Sequence, residues 1–370
     1  MGCVAARVGA RRARAFCVAL AAVAVASPAV ASDTLDLPLV PFPLFVEPHE
    51  GRFVLEPGTP VRYSDGAQPL ATQVREELES LTGLDLRLEP LGETVGPGIS
   101  LGLDDAETTG PEGYRLEIHP ERVVLRAAQP AGLFYGTRTL LQILTLPGAP
   151  SSTWSLPGLE IRDVPRFAWR GLMLDCSRTF QSLDYLRKTI DRIAFYKMNV
   201  LHLHLTDDQG WRLEIDSHPE LTGRGARFPD HWKEPESHHG HYTKAQMRDL
   251  IRYAADRHIT IVPEIEMPGH SLAALSVYPN LSCTGGPFEI HPFFKGDSIH
   301  EDIFCAGNDD TFRFLEDVLG EVVALFPSDL IHVGGDEAPK ARWKTCPKCQ
   351  KRIRDEGLQD EEELQSWFIE

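Results

Sequence analysis

From Pro165 onward the chain alternates short apolar strands with amphipathic helices, and this alternation constrains its fold more than any other feature. Gly171-Leu-Met-Leu174 reads as a strand, after which Leu183, Leu186, Ile190 and Ile193 recur at helical spacing. Asn199-Val-Leu-His-Leu-His-Leu205 is a second strand, followed by a helix over Lys244–Asp256. Ile259–Pro263 is a third strand, followed by a helix over Thr311–Phe326. Leu330–Val333 is a fourth, with helical sequence after it. Such alternation predicts a parallel sheet, because each helix carries the chain back to the same end. Polar groups gather just past the carboxyl ends of the strands: Asp175; Asp207 and Asp208; Glu264, Glu266 and His270; Asp336 and Glu337. Both (β/α)8 barrels and doubly wound sheets place their sites on that face. No glycine-rich phosphate fingerprint follows the first strand, which disfavours a nucleotide-binding sheet.

Ahead of Pro165 the pattern is different. Residues 32 to about 45 are Pro-rich and read as a linker or extended arm. Gln73–Leu81 is helix-like. Tyr114–Ile118 alternates, and Arg122–Arg126 reads as its hairpin partner across His119-Pro-Glu121. Ala131–Leu144 has helical apolar spacing. Strands followed by a packed helix predict a small α+β domain over 32–165, ahead of the α/β region at 166–370. At the start, Arg7 to Arg14 precede an apolar run from Ala15 to Ala26 and then Ala29-Val-Ala31. This order predicts a signal peptide over 1–31 and export to the periplasm or medium. Arg11-Arg12 also fits a twin-Arg export signal. The run is shorter than a membrane span, and no other segment is long enough for one.

The formal net charge is −17, and residues 1–31 hold four Arg and no acid, leaving −21 on the remainder. Such a surface repels phosphate backbones, so nucleic acid is an unsuitable partner. Cys283 and Cys305 flank a Gly/Pro/His-rich loop, which predicts a disulfide staple there. Cys346-Pro-Lys-Cys349 is a lone CxxC. With no second CxxC in the chain, a local disulfide or two free thiols is the expected state rather than a metal site. Cys176 reads as a small core residue.

The most chemically loaded stretch is Ile331-His-Val-Gly-Gly-Asp-Glu-Ala-Pro339. A strand runs into two glycines, which permit a sharp turn and close ligand approach, and then into adjacent carboxylates. In an extended strand end, Asp336 and Glu337 point different ways. Adjacent loop carboxylates are otherwise solvated turn residues. His202 and His204 share one strand face and read as hydrogen-bonded barrel-core residues. Trp169 and Trp211 read as buried aromatics. A metal-dependent hydrolase using His202, His204, His270 and Asp336 is the competing enzyme reading, although the two strand histidines lie short of the strand end.

His332-Val-Gly-Gly-Asp-Glu337 resembles the catalytic signature of glycoside hydrolase family 20, the β-N-acetylhexosaminidases. Three further stretches resemble the family in the same order: Arg170-Gly-Leu-Met-Leu-Asp175, the run from Asn199 to Trp211, and Pro263-Glu-Ile-Glu-Met-Pro-Gly-His270. The resemblance runs from about residue 36 to the end, and implies a small α+β domain before a (β/α)8 barrel. It also implies substrate-assisted, retaining hydrolysis of terminal N-acetylhexosamine from a glycan or amino-sugar oligosaccharide, a scheme needing no cofactor and no metal. Glu337 would be the acid and later the base, and Asp336 the carboxylate that holds the sugar's acetamido group. His270, with Asp207 or Glu266, would manage the proton on Glu337. Arg170 would hydrogen-bond sugar hydroxyls, with a salt bridge at the domain junction as its alternative role. The family's usual aspartate four residues before the motif histidine is Glu266 here. Only four β/α units fit into the 205 residues from Arg166 to Glu370, where a closed barrel has eight. The chain therefore reads as a fragment, expected to be weak or inactive alone and prone to self-association, with non-catalytic sugar binding as the alternative reading for it.

Overall fold

The computed structural model describes residues 37–92, 96–104, 110–145, 153–295 and 300–370. Leu37–Glu370 form one compact unit. The leader expected over 1–31 lies outside the described residues. Among the described residues, no helix is long and apolar enough to cross a membrane.

The first part is a mixed seven-stranded sheet. In chain order its strands are β1 (Phe45–Val54), β2 (Pro60–Tyr63), β3 (Arg87–Pro90), β4 (Gly98–Leu103), β5 (Tyr114–His119), β6 (Arg122–Ala127) and β7 (Ser155–Asp163). They lie in the order β1-β7-β5-β6-β4-β2-β3. The expected hairpin is present as β5 and β6, antiparallel from Arg115 against Arg126 to His119 against Arg122. Alternation along β5 puts Tyr114, Leu116 and Ile118 in the core. Two helices accompany the sheet, α1 (Gln68–Thr82) and α2 (Pro130–Leu144).

Helix α2 is buried from Gly132 to Leu144, as a helix apolar on all sides must be. One side packs on β6 so closely that a Cβ on Gly136 would lie 2.3 Å from Leu125 Cδ1. Its Gln142 Nε2 donates to Phe195 O, at the end of the first helix of the α/β region (2.9 Å). Gln142 also fastens the segment expected to be a linker or extended arm over 32–45. The Val40 N–H donates to Gln142 Oε1 (2.9 Å), and Gln142 Nε2 donates back to Val40 O (2.9 Å). Leu37 and Leu39 are buried beside this clamp, whereas Phe42 and Leu44 further along are exposed.

The α/β region begins with β8 (Gly171–Asp175), α3 (Leu183–Phe195) and β9 (Val200–His204). Next come the short antiparallel pair β10 (Thr206–Asp207) and β11 (Gly210–Trp211), then α4 (Glu220–Gly223) and α5 (Lys244–Ala255). β12 (Thr260–Glu264), α6 (Leu272–Val277) and α7 (Asp309–Leu325) follow. The chain finishes with α8 (Ala341–Thr345), α9 (Pro347–Glu356) and α10 (Glu361–Ile369). β8, β9 and β12 pair parallel with β9 central, in register from Gly171 and Thr260 against Val200 to Asp175 and Glu264 against His204. Sequence explains the helices: Ser182 caps α3 by accepting from the Tyr185 N–H (3.2 Å), and Thr243 with Gln246 forms a capping box on α5.

The fourth strand is shorter than expected. Leu330–Val333 contributes one parallel bridge, Glu264 to His332. Its bonds are His332 N–H to Pro263 O (3.0 Å), Ile265 N–H to His332 O (3.0 Å) and Met267 N–H to Val333 O (3.1 Å). Pro263 faces this strand with its carbonyl and has no N–H to give, so the ladder starts one bond short. Gly334 and Gly335, both at positive φ, then turn the chain away. The result is the β/α order of a (β/α)8 barrel over four of its units. Among the described residues nothing pairs with the outer edge of β8, and Met173 on that strand is 54% exposed.

The expected Cys283–Cys305 staple is not formed. All five described cysteines are free. The CxxC at the start of α9 folds back onto the loop holding Cys283 and Cys305, so four sulfurs share one cluster instead of two closing alone. Cys176 is fully buried, as a core residue.

Candidate active site

The parallel strands deliver the polar groups to one end. β9 ends at His204 and turns directly into Asp207 and Asp208. β12 ends at Glu264, with Glu266 and His270 just beyond. The fourth strand carries His332 and then Asp336 and Glu337. β8 ends at Asp175, and Arg178 follows three residues later.

Asp207 is the centre of this face. It is 1% exposed, and its carboxylate meets His204 Nε2 (2.7 Å), Arg178 Nη2 (2.8 Å) and His270 Nδ1 (3.3 Å). It also accepts the Asp208 N–H at 2.6 Å. Burial alone would raise its pKa, but hydrogen bonds from His204 and His270 and the charge of Arg178 hold it well below the usual carboxylate range. The other face of His270 reaches outward, with Nε2 3.7 Å from Glu337 Oε2. Burial works against a charged His270, yet hydrogen bonds to Asp207 and Asp208 outweigh it and raise its pKa to about 11. The result is a buried carboxylate, a cationic imidazole and a second carboxylate that is 55% exposed at the surface of the face. Asp336, beside Glu337 in the chain, is also exposed. Both His270 and Glu337 have φ of 47°, a region non-glycine residues occupy at a cost of about 1–3 kcal/mol and mostly at functional sites.

Behind this row lies a second one. Glu264 is surrounded by three imidazoles: His204 Nδ1 (2.7 Å), His202 Nε2 (2.8 Å) and His332 Nδ1 (2.7 Å). Although burial opposes ionisation, these partners push its pKa well down. His204 uses both ring nitrogens on carboxylates, and against the cost of burial its pKa rises to about 10. His204 thus has no lone pair for a metal. The residues of the metal-hydrolase reading divide between neighbourhoods: His202 groups with Glu264 and His332, His204 with Glu264 and Glu266, and His270 with Asp207 and Asp208.

Glu266 is the contrast. Its Oε2 is buried with no hydrogen-bond partner. Burial first and the nearby Glu264 charge second raise its pKa to about 8, so it is protonated at neutral pH. Asp207, not Glu266, holds His270, which resolves the alternative left open by the sequence. A carboxyl whose pKa is raised on folding contributes stability below about pH 4.5 and loses it as pH rises through about 8. Glu266→Gln, which cannot ionise, is therefore expected to gain thermal stability relative to wild type progressively from pH 5 to pH 8. Melting curves across that range check this, and a constant difference would defeat it.

The turn before the carboxylates is shaped by Glu266. A Cβ on Gly334 would lie 1.6 Å from Glu266 Oε2, and Gly334 sits at φ +67°. Gly334→Ala is expected to cost at least about 1–3 kcal/mol from backbone strain alone, with the clash added, as read by urea denaturation.

Arg170 is not at this site. It lies at the amino end of β8, five strand residues, or about 16 Å, from the end bearing Asp175. It makes a two-pronged pair with Glu112 (2.8 and 3.0 Å) and donates to Lys197 O (2.7 Å) and Phe167 O (2.8 Å). Its role is the junction salt bridge. Trp169, expected to be buried, is 54% exposed at the same end, while Trp211 is buried as expected. The arginine on the carboxyl face of the strands is Arg178, which bridges Asp207 (2.8 Å) and Asp175 (3.1 Å). The spacing Asp175-x-x-Arg178 past a strand end was the signal that marks it. Asp208 and Glu264 stand where the sequence gathers polar groups past the strand ends, and His204 is the hydrogen-bonded residue expected of it, although its bonds to Asp207 and Glu264 were not foreseen.

The family 20 glycosyl hydrolase catalytic domain matches residues 167–370, and that family's domain 2 matches residues 36–164. A beta-hexosaminidase of Porphyromonas gingivalis is 41% identical over 336 residues, covering 90% of this chain and 43% of that protein. One of Vibrio furnissii is 37% identical, covering 92% and 55%. The chain thus spans about half the length of the curated relatives it matches. Among solved structures, the beta-N-acetylhexosaminidase of Bacteroides fragilis superposes with a TM-score of 0.75 at 37% identity, covering 89% of this chain and 62% of that one. The Streptomyces plicatus N-acetyl-beta-hexosaminidase, in complex with Thio-NAglucal, gives 0.71 at 40% identity, covering 85% and 63%. With both matched segments in the observed order, and the row from Asp207 through His270 to Glu337 on the carboxyl face of its strands, this chain belongs to glycosyl hydrolase family 20.

Proposed function

We propose that the protein carrying this chain is a β-N-acetylhexosaminidase, releasing terminal N-acetylhexosamine from chitin fragments or glycans. The observation that carries this reading is the Asp207–His270–Glu337 row ending in an exposed carboxyl group beside Asp336. In the proposed reaction the substrate's acetamido oxygen attacks C1 while the C1–O glycosidic bond breaks. Glu337 gives its proton to the leaving oxygen. Asp336 accepts the acetamido N–H and offsets positive charge as the oxazolinium-like ring forms. Water then adds to C1, Glu337 takes its proton, and the ring opens with configuration retained. His270, fixed by Asp207, is a positioning residue for the Glu337 proton. Arg178 replaces Arg170 as the sugar-binding arginine. It lines a cleft of about 580 Å³ with Asp175, Phe228 and Phe293.

The test is hydrolysis of an aryl N-acetyl-β-glucosaminide by the longest cellular protein containing the His332–Glu337 peptide. Turnover that is absent for the matching glucoside, which lacks the acetamido group, supports the reading. Equal turnover of both substrates, or sugar binding with no turnover, overturns it. Export is proposed on the Arg-rich, apolar and small-residue order of residues 1–31. An amino terminus near residue 32 on protein recovered from periplasm or medium is the expected result.

A further inference from the structure

Away from the carboxylates, Cys283, Cys305, Cys346 and Cys349 bring four sulfurs within 4.8 Å of one another. The separations are 3.7 Å for Cys283–Cys349, 3.6 Å for Cys305–Cys349 and 3.8 Å for Cys305–Cys346. A metal bound by four thiolates at about 2.3 Å has sulfurs about 3.8 Å apart, the edge of the coordination tetrahedron. The observed spacing therefore leaves room for one ion at the centre. Cys305, Cys346 and Cys349 are buried and Cys283 is half-buried, as suits a closed structural site.

The backbone around the cluster is built for close approach. Cys346 and Cys349 sit at the cap and in the first turn of α9. The Cys305 loop presses against them so tightly that a Cβ on Gly307 would fall 2.1 Å from Lys348 C. The loop is pinned on its other side by a bridge between Ser282 and Phe304 and by the Cys305 N–H donating to Leu281 O (2.8 Å).

We propose that these four cysteines hold one zinc ion, a structural site that fastens the loop after α6 to the α8–α9 corner. Four sulfur donors with no oxygen or nitrogen select a soft or borderline ion, and a closed tetrahedron suits zinc. The fastening lies behind both halves of the active face. Phe304, next to Cys305, donates its N–H to Pro268 O, two residues before His270 (3.0 Å). Phe304 O in turn accepts from Trp343 Nε1 on α8 (2.9 Å), downstream of Glu337. Zinc would hold these two segments in register without touching substrate.

The chain, purified in reducing buffer without added metal, is expected to carry one zinc per chain by plasma mass spectrometry. Replacement by Co2+ is expected to give the intense visible absorption of tetrahedral cobalt thiolate. Stripping the metal with a chelator is expected to lower the melting temperature, and adding Zn2+ to restore it. Cys349→Ser and Cys346→Ser are expected to lose the metal, whereas Cys176→Ala keeps it. Should the serine variants fail to fold, the cobalt spectrum of the unaltered chain still decides. Absence of bound zinc, a cobalt spectrum of octahedral oxygen type, or a mass four hydrogens lower from two disulfides would overturn the assignment. Metal content is read independently of turnover, so this inference and the proposed activity fail separately.

Discussion

Glu337→Gln is expected to lower kcat on an aryl N-acetyl-β-glucosaminide by about 10²–10⁴-fold, the usual share of a general acid–base group. The amide keeps the shape of the side chain but has no proton to give to the leaving oxygen and cannot take one from water. The effect should grow as the leaving group becomes more basic, since a poor leaving group depends more on protonation. KM should move little, because Glu337 acts on the breaking bond. Folding should be nearly untouched, because the side chain is 55% exposed and its nearest charged partner, His270 Nε2, is 3.7 Å away. Steady-state kinetics with two aryl leaving groups, beside a melting curve, separates these claims. A fall in KM-related binding alone would remove Glu337 from the acid role.

Asp207→Asn is expected to damage both activity and stability, because one buried carboxylate serves three cationic partners. His204, Arg178 and His270 lie at 2.7, 2.8 and 3.3 Å from it. Removing one member of a buried charge network costs about 3–5 kcal/mol, chiefly by leaving the others uncompensated. The pH dependence has a defined sign. Asp207 has a depressed pKa, so its contribution is complete above about pH 4 and is lost as pH falls. His204 and His270 have raised pKa values of about 10 and about 11, so their contribution is lost as pH rises through those values. The stability gap between wild type and variant is therefore widest from about pH 4 to about pH 6.5, shrinking below that range and shrinking progressively above it until about pH 10 to 11. Urea denaturation at pH 3, 7 and 10.5 tests this. The variant should also lose kcat more than KM rises, since His270 would no longer be held against Glu337. A stability gap with no pH dependence would mean that Asp207 acts through packing alone.

Much of this site is legible without coordinates, because it is local. The β/α alternation after Pro165, the caps at Ser182 and Thr243, and the turn Gly334-Gly335 before Asp336 and Glu337 depend on residues close in the chain. Side-chain period, capping oxygens and glycine freedom act over a few residues, so sequence alone determines them. The resemblance of four ordered motifs singled out Glu337 and Asp336 by the same local logic. Arg170 and Arg178 mark the boundary of that method. They flank one short strand, and the motif match favoured the first, whereas strand direction places only Arg178 on the carboxyl face.

What the tertiary structure alone decided lies between segments far apart in the chain. Asp207 rather than Glu266 was chosen as the partner of His270 because the β10–β11 turn delivers it there, while Glu266 is left facing Gly334. The three imidazoles on Glu264 come from β9 and the fourth strand, meeting only when those strands lie side by side on β12 and its extension. Cys283 and Cys305 suggested a local staple, and Cys346 with Cys349 a separate pair. Their gathering into one four-sulfur cluster depends on α9 folding back across the loop after α6. Contacts of that kind are set by how elements pack, with the free energy shared over the whole core, and no local pattern in the chain records them.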